Sequence, residues 1–404
     1  MEYDDPERGQ QVARRTRAFV DDVVIPVERK HLGRGPVPEG VLADLRAEAR
    51  EHDLYGPQLP AEYGGLGLDF RASLPVFEEA GRSLLAVHAL GVNAPDEGNM
   101  HTLELVGTDD QKEAWLGPLA RGEATSAFSM TEPGPGAGSD PKMLRTTARR
   151  DGDEWVIDGH KWWTTQGGEA DMLLVMARTD PETHPYEGCS IFLVPADAGG
   201  VEVVRDIPHL GDDLVGTGHA EIRYDGVRVP EENLLGGEND GFAIAQQRLG
   251  PARLTHCMRY TGMAARALEV AKAYASGREA FGESLAEKQS LRFGVADAET
   301  RLHAARTMVR HAADRLVAGE EARVPVSMCK VFAAEAAGDA IDRAVQTCGA
   351  SGIGKDLPLA DFYAHVRQFR IVDGADEVHK RVIARDAFAD VDPGHLEGLP
   401  RYGE

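Results

Sequence analysis

The sequence predicts an α+β protein in three blocks: an N-terminal α-helical domain over residues 1–124, a middle antiparallel β-barrel or sheet domain over 125–236, and a C-terminal four-helix bundle over 237–404. Hydrophobic residues recur at helical spacing at both ends of the chain and switch to strand periodicity only between about 125 and 235. The order helix, strand, helix is segregated instead of alternating, which disfavours a parallel Rossmann sheet. At roughly 150 residues per domain, 404 residues also give two or three domains.

In the first block Val12, Phe19, Val23 and Val24 recur at helical spacing, as do Val41, Leu42, Leu45 and Ala49. Gly33-Arg34-Gly35-Pro36 and Tyr63-Gly64-Gly65-Leu66-Gly67 read as loops between helices. In the middle block Ala220, Ile222 and Tyr224 alternate with polar residues, while Met172 to Ala177 and Ser190 to Pro195 are continuous runs expected of buried strands. Asp151-Gly152, Asp158-Gly159 and Asp225-Gly226 supply the positive φ that tight β connections need. In the last block Leu291, Val295, Ala298, Leu302, Ala305, Val309, Ala312 and Leu316 step alternately by four and three, a seam for helix packing. A following helix begins near Pro325 and offers a small-residue face of Cys329, Ala333, Ala336, Ala340 and Ala344.

Composition removes several function classes. Lys plus Arg number 44 against 67 Asp plus Glu, a net charge of -23, so no basic field draws the chain to nucleic acid or anionic lipid. At 42% hydrophobic and 27% charged it is an ordinary globular composition. The four cysteines, Cys189, Cys257, Cys329 and Cys348, include no close pair, which argues against a zinc site, a redox Cys-x-x-Cys or a disulfide framework and suits a reducing cytoplasm. The start MEYDDPERG is acidic, and the longest apolar runs are too short to span a bilayer, so neither export nor membrane insertion is expected.

Among the glycine motifs, Gly349-Ala350-Ser351-Gly352-Ile353-Gly354-Lys355 matches G-x-x-x-x-G-K, but Asp356 replaces the Ser or Thr of a P-loop and the motif follows a helix. It reads as a glycine-rich helix exit. The segment Ala127-Phe128-Ser129-Met130-Thr131-Glu132-Pro133-Gly134-Pro135-Gly136-Ala137-Gly138-Ser139-Asp140 reads either as a plain loop or as a strand exit where small residues let backbone amides approach a flat or anionic ligand. Further on lies Gly159-His160-Lys161-Trp162-Trp163-Thr164-Thr165-Gln166-Gly167-Gly168; alternation along a strand puts one Trp in the core and the other over a surface or ligand.

These two segments resemble the flavin-binding strands of the acyl-CoA dehydrogenase family. The resemblance covers nearly the whole chain: Leu59-Pro60-Ala61-Glu62-Tyr63-Gly64-Gly65-Leu66-Gly67 is similar to the family's first-domain loop and Gly226-Val227-Arg228-Val229-Pro230 to its sheet exit. Arg278-Glu279-Ala280-Phe281-Gly282 through Gln289, Gln346-Thr347-Cys348-Gly349-Ala350, and Asp373-Gly374-Ala375-Asp376-Glu377 resemble its C-terminal signatures, in order. The resemblance implies a helical, β, helical-bundle fold holding FAD in a homodimer or a homotetramer of two dimers. Phe128, Met130 and Thr131 would line the isoalloxazine, and Trp163 and Thr165 would cover its face and N5 region. Arg278, Phe281, Gln289, Gln346, Gly349 and Ala350 would hold the pyrophosphate and adenosine of the partner subunit's FAD. Ala375 and Glu377 would add cofactor contacts, and Ser139, Arg253 and Gly374 substrate contacts.

The reaction so implied is α,β-dehydrogenation of an acyl-CoA: a base removes the α-proton while the β-hydride passes to flavin N5, with an electron-transfer flavoprotein as acceptor. The family's usual base, a Glu followed by Gly, corresponds here to Asp373 in Val372-Asp373-Gly374. Alone, an Asp before Gly reads as a turn. Other members carry the base as Glu before an Arg on the bundle helix; that place is Ala252, before Arg253, so the resemblance leaves Asp373 as the base, as in a subgroup of the family. In a dry pocket its pKa is expected to be raised by desolvation. The same fold could instead serve as an oxidase, a monooxygenase or a dehydrogenase of carrier-protein thioesters, or as a scaffold without flavin. His256 and Cys257 read as packing residues, His303 and His311 lie on a charged helix face, and no spacing argues a metal site.

Overall fold

The structure, a computed structural model, describes residues 3–138, 140–211 and 214–399. The chain begins with α1 (Glu7–Phe19), which passes through a π-helical turn at Val20–Val24 into α2 (Ile25–His31), followed by α3 (Glu39–Glu51), α4 (Phe70–Ala80) and α5 (Leu84–Ala89). The block is completed by α6 (Asp96–Val106), the single turn α7 (Asp109–Gln111) and α8 (Gly117–Arg121). Val12, Phe19, Val24, Leu42, Leu45 and Ala49 are buried, as their spacing predicts, while Val23 and Val41 are half-buried against the same core. Asp69 and Ser83 cap α4 and α5 by accepting from the backbone N–H groups of Ala72 and Leu85, which satisfies donors that a helix start leaves free.

The middle block contains β1 (Ser126–Ser129), β2 (Thr147–Asp151), β3 (Glu154–Thr165), β4 (Met172–Arg178), β5 (Cys189–Pro195), β6 (Val201–Asp206), β7 (His219–Pro230) and β8 (Leu234–Leu235). They form one sheet in the order β6-β7-β3-β2-β4-β5-β8, with β1 beside β4. The sheet is mixed, not wholly antiparallel: β1 runs parallel to β4, and β2 meets β4 in a single parallel pair. The two continuous apolar runs are β4 and β5, each buried along its length except at the last residue. Only one Asp-Gly pair makes a strand connection, Asp151-Gly152 between β2 and β3. The other two face each other across an irregularity in the β3–β7 ladder, where the Asp158 carboxylate accepts from the Gly226 N–H at 2.8 Å.

The last block holds α9 (Gly241–Gly277), the short hairpin β9 (Glu279–Ala280) and β10 (Glu283–Ser284), α10 (Gln289–Val317) and α11 (Arg323–Cys348). After the turn α12 (Ala350–Ile353), the fourth side of the bundle is split between α13 (Leu359–Phe369) and α14 (Asp376–Ala387). The α10 seam is buried at Ala298, Leu302, Ala305, Val309 and Ala312 and half-buried at Leu291, Val295 and Leu316, and all five small residues of the α11 face are buried. The two helical blocks share one hydrophobic core. Their closest approach is at α4 and α9, where a Cβ on Gly81 would sit 2.0 Å from the Arg259 carbonyl oxygen and one on Gly262 would sit 1.8 Å from that of Glu78. Among the described residues no helix is long and apolar enough to cross a membrane.

Because Gly262 meets backbone and not a flexible side-chain tip, Gly262→Ala must push α4 and α9 apart. It is expected to lower stability by about 1–3 kcal/mol, measured by urea unfolding, with loss of the cleft geometry that α9 supports.

Candidate functional site

A cleft of about 1760 Å³ opens between the sheet and the bundle. It is larger than the roughly 300–1,000 Å³ that suits one drug-sized ligand, so it has room for two extended groups. Strand β1 and its exit contribute Phe128, Met130 and Thr131 to the lining, and β3 contributes Trp162, Trp163 and Thr165. The bundle contributes Arg248, Arg253 and His256 from α9, with Asp373 and Gly374 from the break between α13 and α14.

A buried charge pair shapes the sheet side. The Glu132 carboxylate accepts from the backbone N–H groups of Ala137, Arg145 and Thr146 and pairs with Lys161 Nζ at 3.0 Å. Lys161 is fully buried and also donates to the Met130 carbonyl at 2.9 Å. Burial alone would raise the Glu132 carboxyl, but the Lys161 charge and the Thr146 bonds hold it below its ordinary value. Burial pushes Lys161 down to about 8. Lys161 therefore occupies the inward place expected for one of the tryptophans. The ladder shifts register between Lys161 and Thr164, and Trp163 has φ +54°, so neither Trp enters the core and both line the cleft. Trp163 is 43% exposed. Thr165 Oγ1 lies 2.9 Å from His219 Nδ1, and burial holds that histidine down at about 4, in its neutral form at pH 7.

On the bundle side, Asp373 and Gly374 both have positive φ, +55° and +98°, in the turn between the end of α13 at Phe369 and the start of α14 at Asp376. The Asp373 carbonyl oxygen accepts from Arg253 Nε at 2.9 Å and from His379 Nε2 at 3.2 Å. His379 Nδ1 in turn meets the Ser327 hydroxyl at 3.1 Å, so the ring donates through Nε2 and accepts through Nδ1. Just beyond, Asp376 is buried between Lys330 and Arg370, each at 2.9 Å.

The Asp373 carboxylate itself faces His256: Oδ2 lies 2.8 Å from Nδ1. That nitrogen is aligned with the Ala252 carbonyl, also at 2.8 Å, so Oδ2 receives no aligned hydrogen bond. The expected upward pKa shift is reversed. Burial does push the carboxyl up, but the positive charges of His256, Arg253 and Arg248 together hold it well below the usual carboxylate range. His256 is thus no mere packing residue, whereas Cys257 is buried as expected.

The remaining residues named from sequence lie elsewhere. Ser139 falls outside the described residues. Arg278, Phe281, Gln289, Gln346, Gly349 and Ala350 are exposed and do not line the cleft. Gly294 packs on Arg343, and Arg301 pairs with Asp339 at 2.8 Å; this antiparallel register sets Gln289 level with the Gln346–Gly349 end of α11. Ala375 is half-buried and Glu377 exposed, and neither lines the cleft.

Sequence reasoning missed Lys161, Glu132, His256, Arg248 and Arg259. A signal for three of these existed: Arg248, Ala252, His256 and Arg259 recur at helical spacing, a polar stripe on a helix buried on most sides. Arg248 lies over the Phe128 ring at 4.4 Å, and Arg259 Nη2 is buried without a hydrogen-bond partner. Although the chain carries a net charge of -23, the cleft lining includes eight Lys or Arg and six Asp or Glu. Flat aromatic surface at Trp162 and Trp163 together with this excess of guanidinium fits a planar ring system bearing phosphates, as FAD and a coenzyme A thioester both are.

The family profiles for the N-terminal, middle and C-terminal domains of acyl-CoA dehydrogenases match residues 6–123, 127–227 and 239–388. The chain is 44% identical over 353 residues to the "Probable acyl-CoA dehydrogenase FadE2" of Mycobacterium tuberculosis, covering 85% of each. It is 35% identical to human acyl-CoA dehydrogenase family member 11 over 93% of this chain, and it spans 50% of that longer protein. Its fold superposes on butyryl-CoA dehydrogenase of Megasphaera elsdenii with a TM-score of 0.85 at 27% identity, covering 96% of this chain and all of the other. On these matches and the three-block fold, the chain belongs to the acyl-CoA dehydrogenase family of FAD-dependent oxidoreductases.

Proposed function

We propose that this acyl-CoA dehydrogenase oxidises the Cα–Cβ bond of an acyl-CoA thioester with Asp373 as the α-proton acceptor. The observation that carries this reading is the placement of a carboxylate side chain in the cleft, at a backbone break fixed by Arg253 and His379. FAD, when bound, supplies the acceptor for the β-hydride. Phe128, Met130, Thr131, Trp163 and Thr165 would hold its ring, since they meet along one wall of the cleft.

The cations around Asp373 hold its carboxyl below the usual carboxylate range, which favours the proton-free form that a base starts from. Its short side chain needs the loop close to substrate, and the paired bonds to its carbonyl keep the loop there. Arg253 acts through this backbone and not as a direct proton carrier. The excess guanidinium of the cleft offers partners for substrate phosphates.

Arg278, Phe281, Gln289, Gln346, Gly349 and Ala350 would serve FAD in the partner of a dimer. Their exposure, away from their own cleft and at one end of the bundle, supports this role. The blocks 1–124, 125–236 and 237–404 would be the domains of this assembly. A cytoplasmic setting and an electron-transfer flavoprotein as acceptor complete the reading. Retention of an acid at 373 favours it over a monooxygenase, which needs no α-proton base.

Anaerobic titration with straight, branched and hydroxylated acyl-CoAs is expected to bleach the oxidised flavin, and Asp373→Asn to slow bleaching by roughly 10²–10⁴-fold. No bleaching by any acyl-CoA in a flavin-loaded protein would instead favour a carrier-protein thioester or oxygenase chemistry. Arg278→Ala is expected to weaken FAD retention about tenfold or more, as for a lost charge-assisted bond, while leaving the fold intact by circular dichroism. Unchanged retention in that variant counts against the shared site.

A further inference from the structure

We infer that the acyl chain taken by this cleft carries an oxygen substituent beyond its β carbon, which accepts a hydrogen bond from Arg259. The inference rests on the cleft oxidising an acyl-CoA beside Asp373, and it names the class of chain. Ala252, His256, Arg259 and Met263 recur at steps of four and three and all line the cleft, so one face of α9 forms part of its wall. Gln246, nearer the start of that helix, is exposed, whereas Arg259 and Met263 are only 7% and 5% exposed. The cleft therefore deepens along α9, and the bulky phosphate-bearing end of a coenzyme A thioester stays at the open end while its acyl chain runs inward. His256 meets the Asp373 carboxylate at 2.8 Å, and Arg259 stands nearly one helical turn, about 4.5 Å, further in. A chain whose α carbon meets Asp373 thus passes its β carbon before it reaches Arg259.

Beside Arg259 the lining includes Leu84 and Val87 of α5 and Met263 of α9, which suit a hydrocarbon chain. A guanidinium among them needs another reason. Its Nη1 donates to the Val92 carbonyl just past α5, but its Nη2 is buried with no hydrogen-bond partner. Glu97 and Asp373 act on it through space, yet neither bonds to it. Arginine cannot shed its proton to escape this cost, and a buried charge without a bonded partner is expensive where an apolar side chain of similar volume would be tolerated. The other polar groups of this arm supply no counter-ion: burial holds His88 down at about 3, neutral at pH 7, and pushes the Tyr260 hydroxyl up to about 12, so that it stays protonated. An oxygen on the acyl chain provides the acceptor that the protein lacks here. A hydroxyl and a carboxylate both offer it.

The test is flavin bleaching and kcat/KM of the holoenzyme with acyl-CoAs of one chain length: unsubstituted, hydroxylated at the γ carbon or at the chain end, and bearing a terminal carboxylate. In wild type at least one oxygenated chain is expected to exceed the unsubstituted one by about tenfold or more in kcat/KM, as for a charge-assisted hydrogen bond. Which arm leads separates hydroxyl from carboxylate. Flavin-loaded Arg259→Met should lose that preference, and Arg259→Lys, which keeps a charged donor, should retain part of it. A wild type that favours the unsubstituted chain, or handles all the chains alike, overturns the inference and leaves the role of Asp373 standing. So does a preference kept in full by Arg259→Met. Should that variant fail to fold, the wild-type comparison and Arg259→Lys still decide. Bleaching by none of these chains would instead overturn the dehydrogenation reading on which the inference rests.

Discussion

Everything on the bundle side of the cleft depends on a backbone break being held still among charges. The chain leaves α13, turns through two positive-φ residues at Asp373 and Gly374, and restarts at Asp376 with a carboxylate that is 1% exposed. Such a group is stable there only when paired. Lys330 and Arg370 supply the pairing, and an acid in the first turn of α14 also suits the helix dipole. Arg253 and His379 fix the Asp373 carbonyl from two further helices. Three helices thus converge on four residues, and the side chain that results points its carboxylate toward His256.

The sheet side solves the same problem with one pair. Glu132 gathers three backbone N–H groups and an ammonium, so the glycine- and proline-rich exit of β1 keeps one shape without secondary structure of its own. Lys161 takes the inward place on β3, and the register shift beyond it sends two tryptophans to the cleft. Both walls are therefore positioned by buried ion pairs, in a chain whose overall charge is strongly negative.

The three-block order, the buried runs of β4 and β5 and the small-residue face of α11 were legible because each is a local periodicity with one dominant cause, burial of apolar surface. Asp373 was legible only through the family's order of motifs, since Asp-Gly alone reads as a turn. The remainder depended on tertiary contacts. Parallel pairing of β1 with β4 is a matter of crossover, which alternation does not encode. Asp158-Gly159 and Asp225-Gly226 have turn chemistry but meet as an irregularity between two long strands. A lysine in a core position is the opposite of what pattern predicts, and it becomes reasonable only once Glu132 is seen beside it. The direction of the Asp373 shift was misjudged because desolvation was weighed without the cations of α9, which lie 120 residues or so away in sequence.

The central claim is that Asp373 removes the α-proton of a thioester held in the cleft. The most direct measurement is hydrogen exchange at the α carbon of a bound, non-oxidisable acyl-CoA analogue in D₂O, followed by NMR, since it isolates proton removal from hydride transfer. The account predicts exchange with the wild-type enzyme and none above background with Asp373→Asn, although that variant still binds the analogue. Exchange at the wild-type rate in Asp373→Asn would contradict it.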